Sequence, residues 1–160
     1  MALIVEDGTG LATAEAYISV TDADAYFLAR ANTAWAALTT GAKEAALRQG
    51  ADYLEGYRWK GDRLTSAQAL AWPRSGVVVD GVTAAAVPEA IRRANAELAV
   101  RASQGALSVD VGAQVVSEAV GPISVTYAQG ARQQTRFEAV ERMIAVYLFG
   151  GGGQIPVVRA

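Results

Sequence analysis

Apolar residues recur at three- and four-residue intervals along most of this chain and alternate with polar ones in a few shorter runs. That pattern predicts helices joined by a small β element. From the N-terminus, "LIV" and the turn "EDGTG" lead into "AYISV", whose alternation suits a short extended segment. Thr21 is placed to cap a helix running to about Ala31, with Asp22 and Asp24 in the first turn, where the helix dipole favours carboxylates. Past Asn32, Thr39 or Thr40 caps a second helix from about Ala42 to Glu55. Leu47, Ala51 and Leu54 share its apolar face, while Glu44, Arg48 and Asp52 alternate in charge on its back.

Between Gly56 and Gly76 the periodicity loosens. A short helix over Ser66 to Ala71 is expected to stop before Pro73, because the residue preceding a proline is steered away from helical ψ. "GVVVDGVTAAAVP" then reads as a loop with some extended character, and Pro88 is well placed to begin a helix to about Ser103. Ile91, Leu98 and Ala102, with Ala94 or Asn95, form its apolar stripe. Glu89, Arg93, Glu97 and Arg101 alternate in sign every four residues, so the "RR" at Arg92 and Arg93 is less basic than it looks. From Ala106 to Ala128 the signal turns to β, with "QVVSEAV", a Gly121-Pro122 break and "ISVTYA" reading as a hairpin or as two strands around a turn. The last helix spans about Thr135 to Phe149, with Phe137, Val140, Ile144 and Leu148 aligned.

The expected architecture is therefore a mainly α bundle of four to five helices with a β-hairpin near 106–128. Residues 1–149 form one helical domain, and 150–160 form an extended C-terminal tail. In that tail Gly150, Gly151, Gly152 and Gly153 act as a hinge that imposes no direction on the chain. Gln154, Ile155, Pro156, Val157, Val158 and Arg159 follow as a short apolar segment that suits docking on a sheet edge or in a subunit groove.

Composition narrows the chemistry. The chain has 160 residues and a formal net charge of -2, so bulk attraction to nucleic acid or an anionic membrane is not expected. Histidine and cysteine are both absent, which removes the usual neutral-pH general base and excludes disulfides and thiolate chemistry. No Walker loop, dinucleotide fingerprint or convergent carboxylate pair is present, so the chain is expected to be no enzyme and to hold no cofactor or metal. No run of apolar residues is long enough to span a membrane, and a soluble protein is expected. Hydrophobic residues make up 52%, but much of this is alanine, which adds little buried area per residue, so help from neighbouring subunits is expected.

The charge is unevenly spread. Residues 56–103 carry seven basic and four acidic side chains, whereas residues 1–55 carry three basic and eight acidic ones. Within "YRWKGDR" and "AWPRSG", Arg58, Lys60, Arg63 and Arg74 are candidates to contact phosphates while Trp59 and Trp72 stack on bases, as in single-strand binders. The structural alternative has both tryptophans wedging helix ends, with the arginines stacked on them or bridging to acids. The structural alternative is preferred, because four cations in acidic surroundings offer only a modest electrostatic handle.

Several ordered blocks between Leu3 and Phe149 carry a resemblance: "LIVEDGTGLATAEAYISVTDADAY", "YRWKGDRLTSAQALAWPRSGV", "VPEAIRRANAELA" and "VVSEAVGPISVTYA". They resemble tailed-bacteriophage proteins commonly labelled DnaT-like single-stranded-DNA-binding proteins. The strand element with Ser117, Glu118, Gly121, Pro122, Val125 and Tyr127 also looks like that of phage head-tail connector, or adaptor, proteins. That second resemblance implies a virion neck protein, assembled in the host cytoplasm. It would form a homo-oligomeric ring of twelve copies beneath the portal protein, facing a tail or stopper protein and passing duplex DNA without sequence-specific contact. A net acidic chain, alanine-rich helices and a hinged apolar tail fit this connector reading, which is the leading expectation. A replication-associated single-stranded-DNA binder using the tryptophan and arginine block is the alternative.

Overall fold

The structure is a computed structural model, and it describes residues 2–110, 117–120, 123–126 and 135–150. Among the described residues five helices carry the fold: α1 (Val20–Leu28), α2 (Thr33–Ala36), α3 (Thr40–Glu55), α4 (Glu89–Ala102) and α5 (Glu138–Ile144), the last continuing as a 3-10 turn over Ala145–Tyr147. Three two-stranded antiparallel ladders accompany them: β1 (Asp62–Arg63) with β2 (Arg74–Ser75), β3 (Val78–Val79) with β4 (Val82–Thr83), and β5 (Ser117–Val120) with β6 (Ile123–Thr126). The mainly helical architecture matches the reading of the pattern. The expected hairpin is present as β5 and β6, with Val120 opposite Ile123.

Polar side chains fix where the helices begin. Ser19, not Thr21, caps α1, because its hydroxyl is the one that reaches the Asp22 amide, at 3.0 Å. Asn32 accepts from the Trp35 amide and starts the one-turn α2, where the pattern predicts only a connection. Thr39 caps α3 through the Ala42 amide. The helix expected over Ser66 to Ala71 does not form. There, the Gln68 side chain ties the chain into an irregular loop, accepting from the Thr65 amide and donating to the Leu70 and Pro73 carbonyls. These bonds take the place of a helical ladder.

α3 and α4 form the central pair. They approach closely because Gly50 faces Asn95: a Cβ there would lie 2.8 Å from both the Asn95 Nδ2 and its backbone oxygen. Asn95 is fully buried, donates to the Leu47 carbonyl and accepts from the Tyr17 amide, so it joins α3, α4 and the N-terminal segment at one point. One apolar cluster gathers Tyr17, Leu54, Trp72, Ile91, Leu98 and Ile144. A second gathers Phe27, Trp35, Leu47, Ala99 and Val100. The N-terminal segment is laid on this pair by a parallel bridge between Val5 and Ala16, and the buried Glu6 carboxylate accepts from the amides of Gly8, Gly10 and Leu11.

The last helix is shorter than its apolar stripe suggests. After Tyr147 the chain turns extended, with Leu148 at ψ 142, and pairs with residues 58–60. Of the expected hinge, Gly150 is described. Gly151, Gly152 and Gly153 and the docking segment Gln154, Ile155, Pro156, Val157, Val158 and Arg159 lie outside the described residues.

Candidate nucleic-acid interface

Trp59 and Trp72 do not form an open stacking face. Trp72 is 0% exposed and Trp59 6%, and their rings meet edge to face at 5.9 Å. Tyr147 packs against Trp72 at 5.7 Å, and the Trp59 indole N–H donates to the Leu54 carbonyl. Neither ring offers a base a free face, so the less favoured reading of these two residues, as stacking on bases, is corrected. An aromatic pair carries large buried area and a preferred edge-to-face geometry, and here that geometry closes the core.

The cations of the same block divide into internal and external groups. Arg74 donates to three backbone carbonyls, those of Lys60, Gly61 and Ala71, and so pins the β1–β2 loop to the preceding chain. Burial first, and the neighbouring Arg63 second, pull its pKa below the usual arginine value. Arg63 donates to the Gln68 carbonyl and lies 3.4 Å from the Glu55 carboxylate. Glu55 is a hub in turn, accepting from the Tyr17 hydroxyl and from the Ala71 amide. Arg74 and Arg63 thus hold the loop that encloses Trp72. Arg63 bridges to an acid, as the structural alternative expects, whereas Arg74 spends its donors on backbone carbonyls.

Arg58 and Lys60 point outward, and the backbone explains why. Residues 58–60 run antiparallel to 147–149, with the Lys60 amide donating to the Tyr147 carbonyl and the Phe149 amide to the Arg58 carbonyl. Side chains alternate across such a ladder. Trp59 and Leu148 face the core, which leaves Arg58 opposite Phe149 on the outer side. The Arg58 guanidinium sits 4.6 Å from the centroid of the Phe149 ring, and Phe149 is 52% exposed. Lys60 Nζ lies on the same stretch, donating to the Val146 carbonyl. An exposed ring stacked with a guanidinium, beside an ammonium, is the combination that takes a base and its phosphate. Sequence reasoning missed Phe149 because it reads as the last residue of the final helix, whereas the helix ends at Ile144 and its 3-10 continuation at Tyr147.

Elsewhere the charges largely cancel. Arg93 pairs with Glu89 and Arg101 with Glu97, as their four-residue spacing predicts, and Arg92 bonds Asp22. Asp24 is not a first-turn dipole partner but accepts from the Trp35 indole and pairs with Lys43. Among the described residues, the cations without a carboxylate in ion-pair range are Arg30, Arg58, Lys60 and Arg74. The described residues bring together no group of His, Cys, Asp or Glu side chains able to hold a metal, and contain no helix long and apolar enough to cross a membrane.

No curated protein and no solved structure matches this chain. A family model does, over residues 1–160, and its description is "Putative DnaT-like ssDNA binding protein". This match corrects the connector expectation, because what it names is a DnaT-like ssDNA binding family and not a virion connector, neck or portal-binding protein. With the model spanning its whole length, the chain belongs to the DnaT-like ssDNA binding family so described.

Proposed function

We propose that the protein binds single-stranded DNA, and that the outer face of the ladder between residues 58–60 and 147–149 is a contact surface. The observation that carries the surface is the Arg58–Phe149 pair: an exposed ring 4.6 Å from a guanidinium that has no carboxylate partner among the described residues. Bases stack on such a ring without regard to sequence, because every base has a π-face, while Arg58 and Lys60 neutralise neighbouring phosphates. The role is one of binding and holding a strand, with no chemical step.

Fluorescence anisotropy of a labelled oligothymidine at low salt tests this reading. Phe149→Ala is expected to weaken binding roughly 5- to 150-fold, the range for removing one base stack. Arg58→Ala with Lys60→Ala is expected to flatten the salt dependence by about 0.7 for each phosphate that is no longer neutralised. Wild-type protein that fails to bind the oligomer at low salt would refute the function. Undiminished binding by Phe149→Ala and by the double variant would refute the surface.

A further inference from the structure

A second basic feature lies away from that ladder, in a cleft of about 330 Å³ between α1 and the first turn of α4. Its polar walls are Asp22 and Tyr26 from α1, Arg30 from the turn just after it, and Glu89, Arg92 and Arg93 from α4. It shares no residue with the Arg58–Phe149 face. The volume falls near the lower bound of ligand sites, at about 300 Å³, which suits one small polar ligand.

Three guanidiniums face this space against two carboxylates, and the way they are held matters more than the small excess. Arg30 lies over the Tyr26 ring, its Cζ 3.6 Å from the centroid, and donates from Nη1 to the Tyr26 carbonyl. One face of its plane is therefore covered by tyrosine, and Arg30 is otherwise exposed, so a second planar group can reach it. Arg92 donates from Nη2 to Asp22, and Arg93 from Nε to Glu89 at 3.0 Å. A guanidinium has five N–H donors, so these contacts orient both arginines across the cleft without exhausting them. The two acids thus act as positioning groups. The cleft also overlies the positive end of the α4 dipole, whose cap, Pro88, supplies no side-chain acceptor.

We infer that this cleft is a nucleotide subsite, in which Arg92 and Arg93 take a phosphate and the Tyr26–Arg30 stack takes the attached base. The inference rests on the single-strand reading for the identity of the ligand, one nucleotide of a bound strand. A planar base suits a guanidinium already stacked on tyrosine, and a phosphate suits two fork-shaped donors more than a point charge would.

The test is an amide NMR titration of the full chain with three probes: inorganic phosphate, thymidine and thymidine 5′-monophosphate. The monophosphate is expected to shift the amides of residues 22–30 and 89–93 more strongly than either half alone. Arg93→Ala is expected to lower its affinity about ten-fold, the effect of removing a charge-assisted hydrogen bond, and Arg30→Ala roughly 5- to 150-fold, the range for losing one base stack. Arg30→Lys, which keeps the charge and so guards against a simple folding effect, is expected to retain the phosphate response and lose the added grip on the base. No response at these amides to millimolar monophosphate would overturn the subsite, and so would equal responses in wild type and Arg30→Ala. Oligothymidine binding that needs Phe149 but is indifferent to Arg30 and Arg93 would also overturn the subsite, and would leave the function standing. Monophosphate binding in the cleft without any oligomer binding would uphold the subsite and refute the single-strand reading.

Discussion

Asn95 makes the sharpest claim about what holds this fold. Its amide lies in the α3–α4 interface, fully buried, with Oδ1 2.9 Å from the Tyr17 amide and Nδ2 2.9 Å from the Leu47 carbonyl. Asn95→Ala removes both bonds, with unequal consequences. Leu47 sits mid-helix in α3, and its carbonyl keeps its helical partner. The Tyr17 amide has no such reserve and is left in the core without an acceptor, at a cost of about 1–3 kcal/mol. The space vacated by the amide group adds to this, for a total of about 2–4 kcal/mol. For a domain of this length, that lowers the melting temperature by roughly 5–15 °C. Thermal and urea unfolding followed by circular dichroism measure both quantities. A loss below about 1 kcal/mol would refute the assignment of Asn95 as the point joining the N-terminal segment to the central helices.

Other predictions follow from the same core. Gly50→Ala should destabilise by about 1–3 kcal/mol despite the higher helix propensity of alanine, because its Cβ meets the Asn95 backbone oxygen as well as the side chain. Combining it with Asn95→Ala should therefore give no rescue, and a double variant more stable than Asn95→Ala alone would show the clash to be with the side chain only. Burial first, and the Glu55 carboxylate second, raise the Tyr17 pKa in the folded state. Stability is then full below the unfolded tyrosine value of about 10 and falls as pH rises beyond it, because the unfolded chain releases the proton first. Tyr17→Phe should flatten that alkaline decline only in part, since burial raises the Tyr57 pKa as well. A decline equally steep in wild type and variant would contradict it.

Where a side chain had only to satisfy its own helix, the sequence was readable. Thr39, Pro88 and the Glu89–Arg93 and Glu97–Arg101 pairs act locally, and their spacing alone placed α3 and α4. Legibility failed where backbone or side chain makes bonds that no helical period records. Gln68 folds its segment through carbonyls on both sides of Trp72, which no helical periodicity registers. Leu148 fits the stripe of the last helix by spacing, and Phe149 reads as its end, yet both leave it and pair with residues 58–60 through the backbone. The basic tryptophan block left two readings open for the same reason. Its composition is that of a strand-binding surface, but composition does not record that Arg74 has three carbonyls within reach and that both indoles close a core.

The net charge of -2 weighed against a nucleic-acid partner in the sequence, but the total charge is not what a strand of the proposed kind would meet. At physiological salt, charges separated by more than about 8 Å are largely screened, so a strand responds to the groups it touches and not to the total. Many of the acids are already engaged: Glu15 with Arg48, Glu55 with Arg63, Asp24 with Lys43, Glu89 with Arg93 and Glu97 with Arg101. Each such pair is nearly neutral at a distance. Arg30, Arg58 and Lys60, by contrast, have no carboxylate in ion-pair range among the described residues, and two of the three lie on a tyrosine or phenylalanine ring. The field that a strand would meet on this chain is therefore set by a few uncompensated cations beside aromatic rings. On the proposed function, an acidic total would act against non-specific attachment elsewhere on the surface and confine binding to those places.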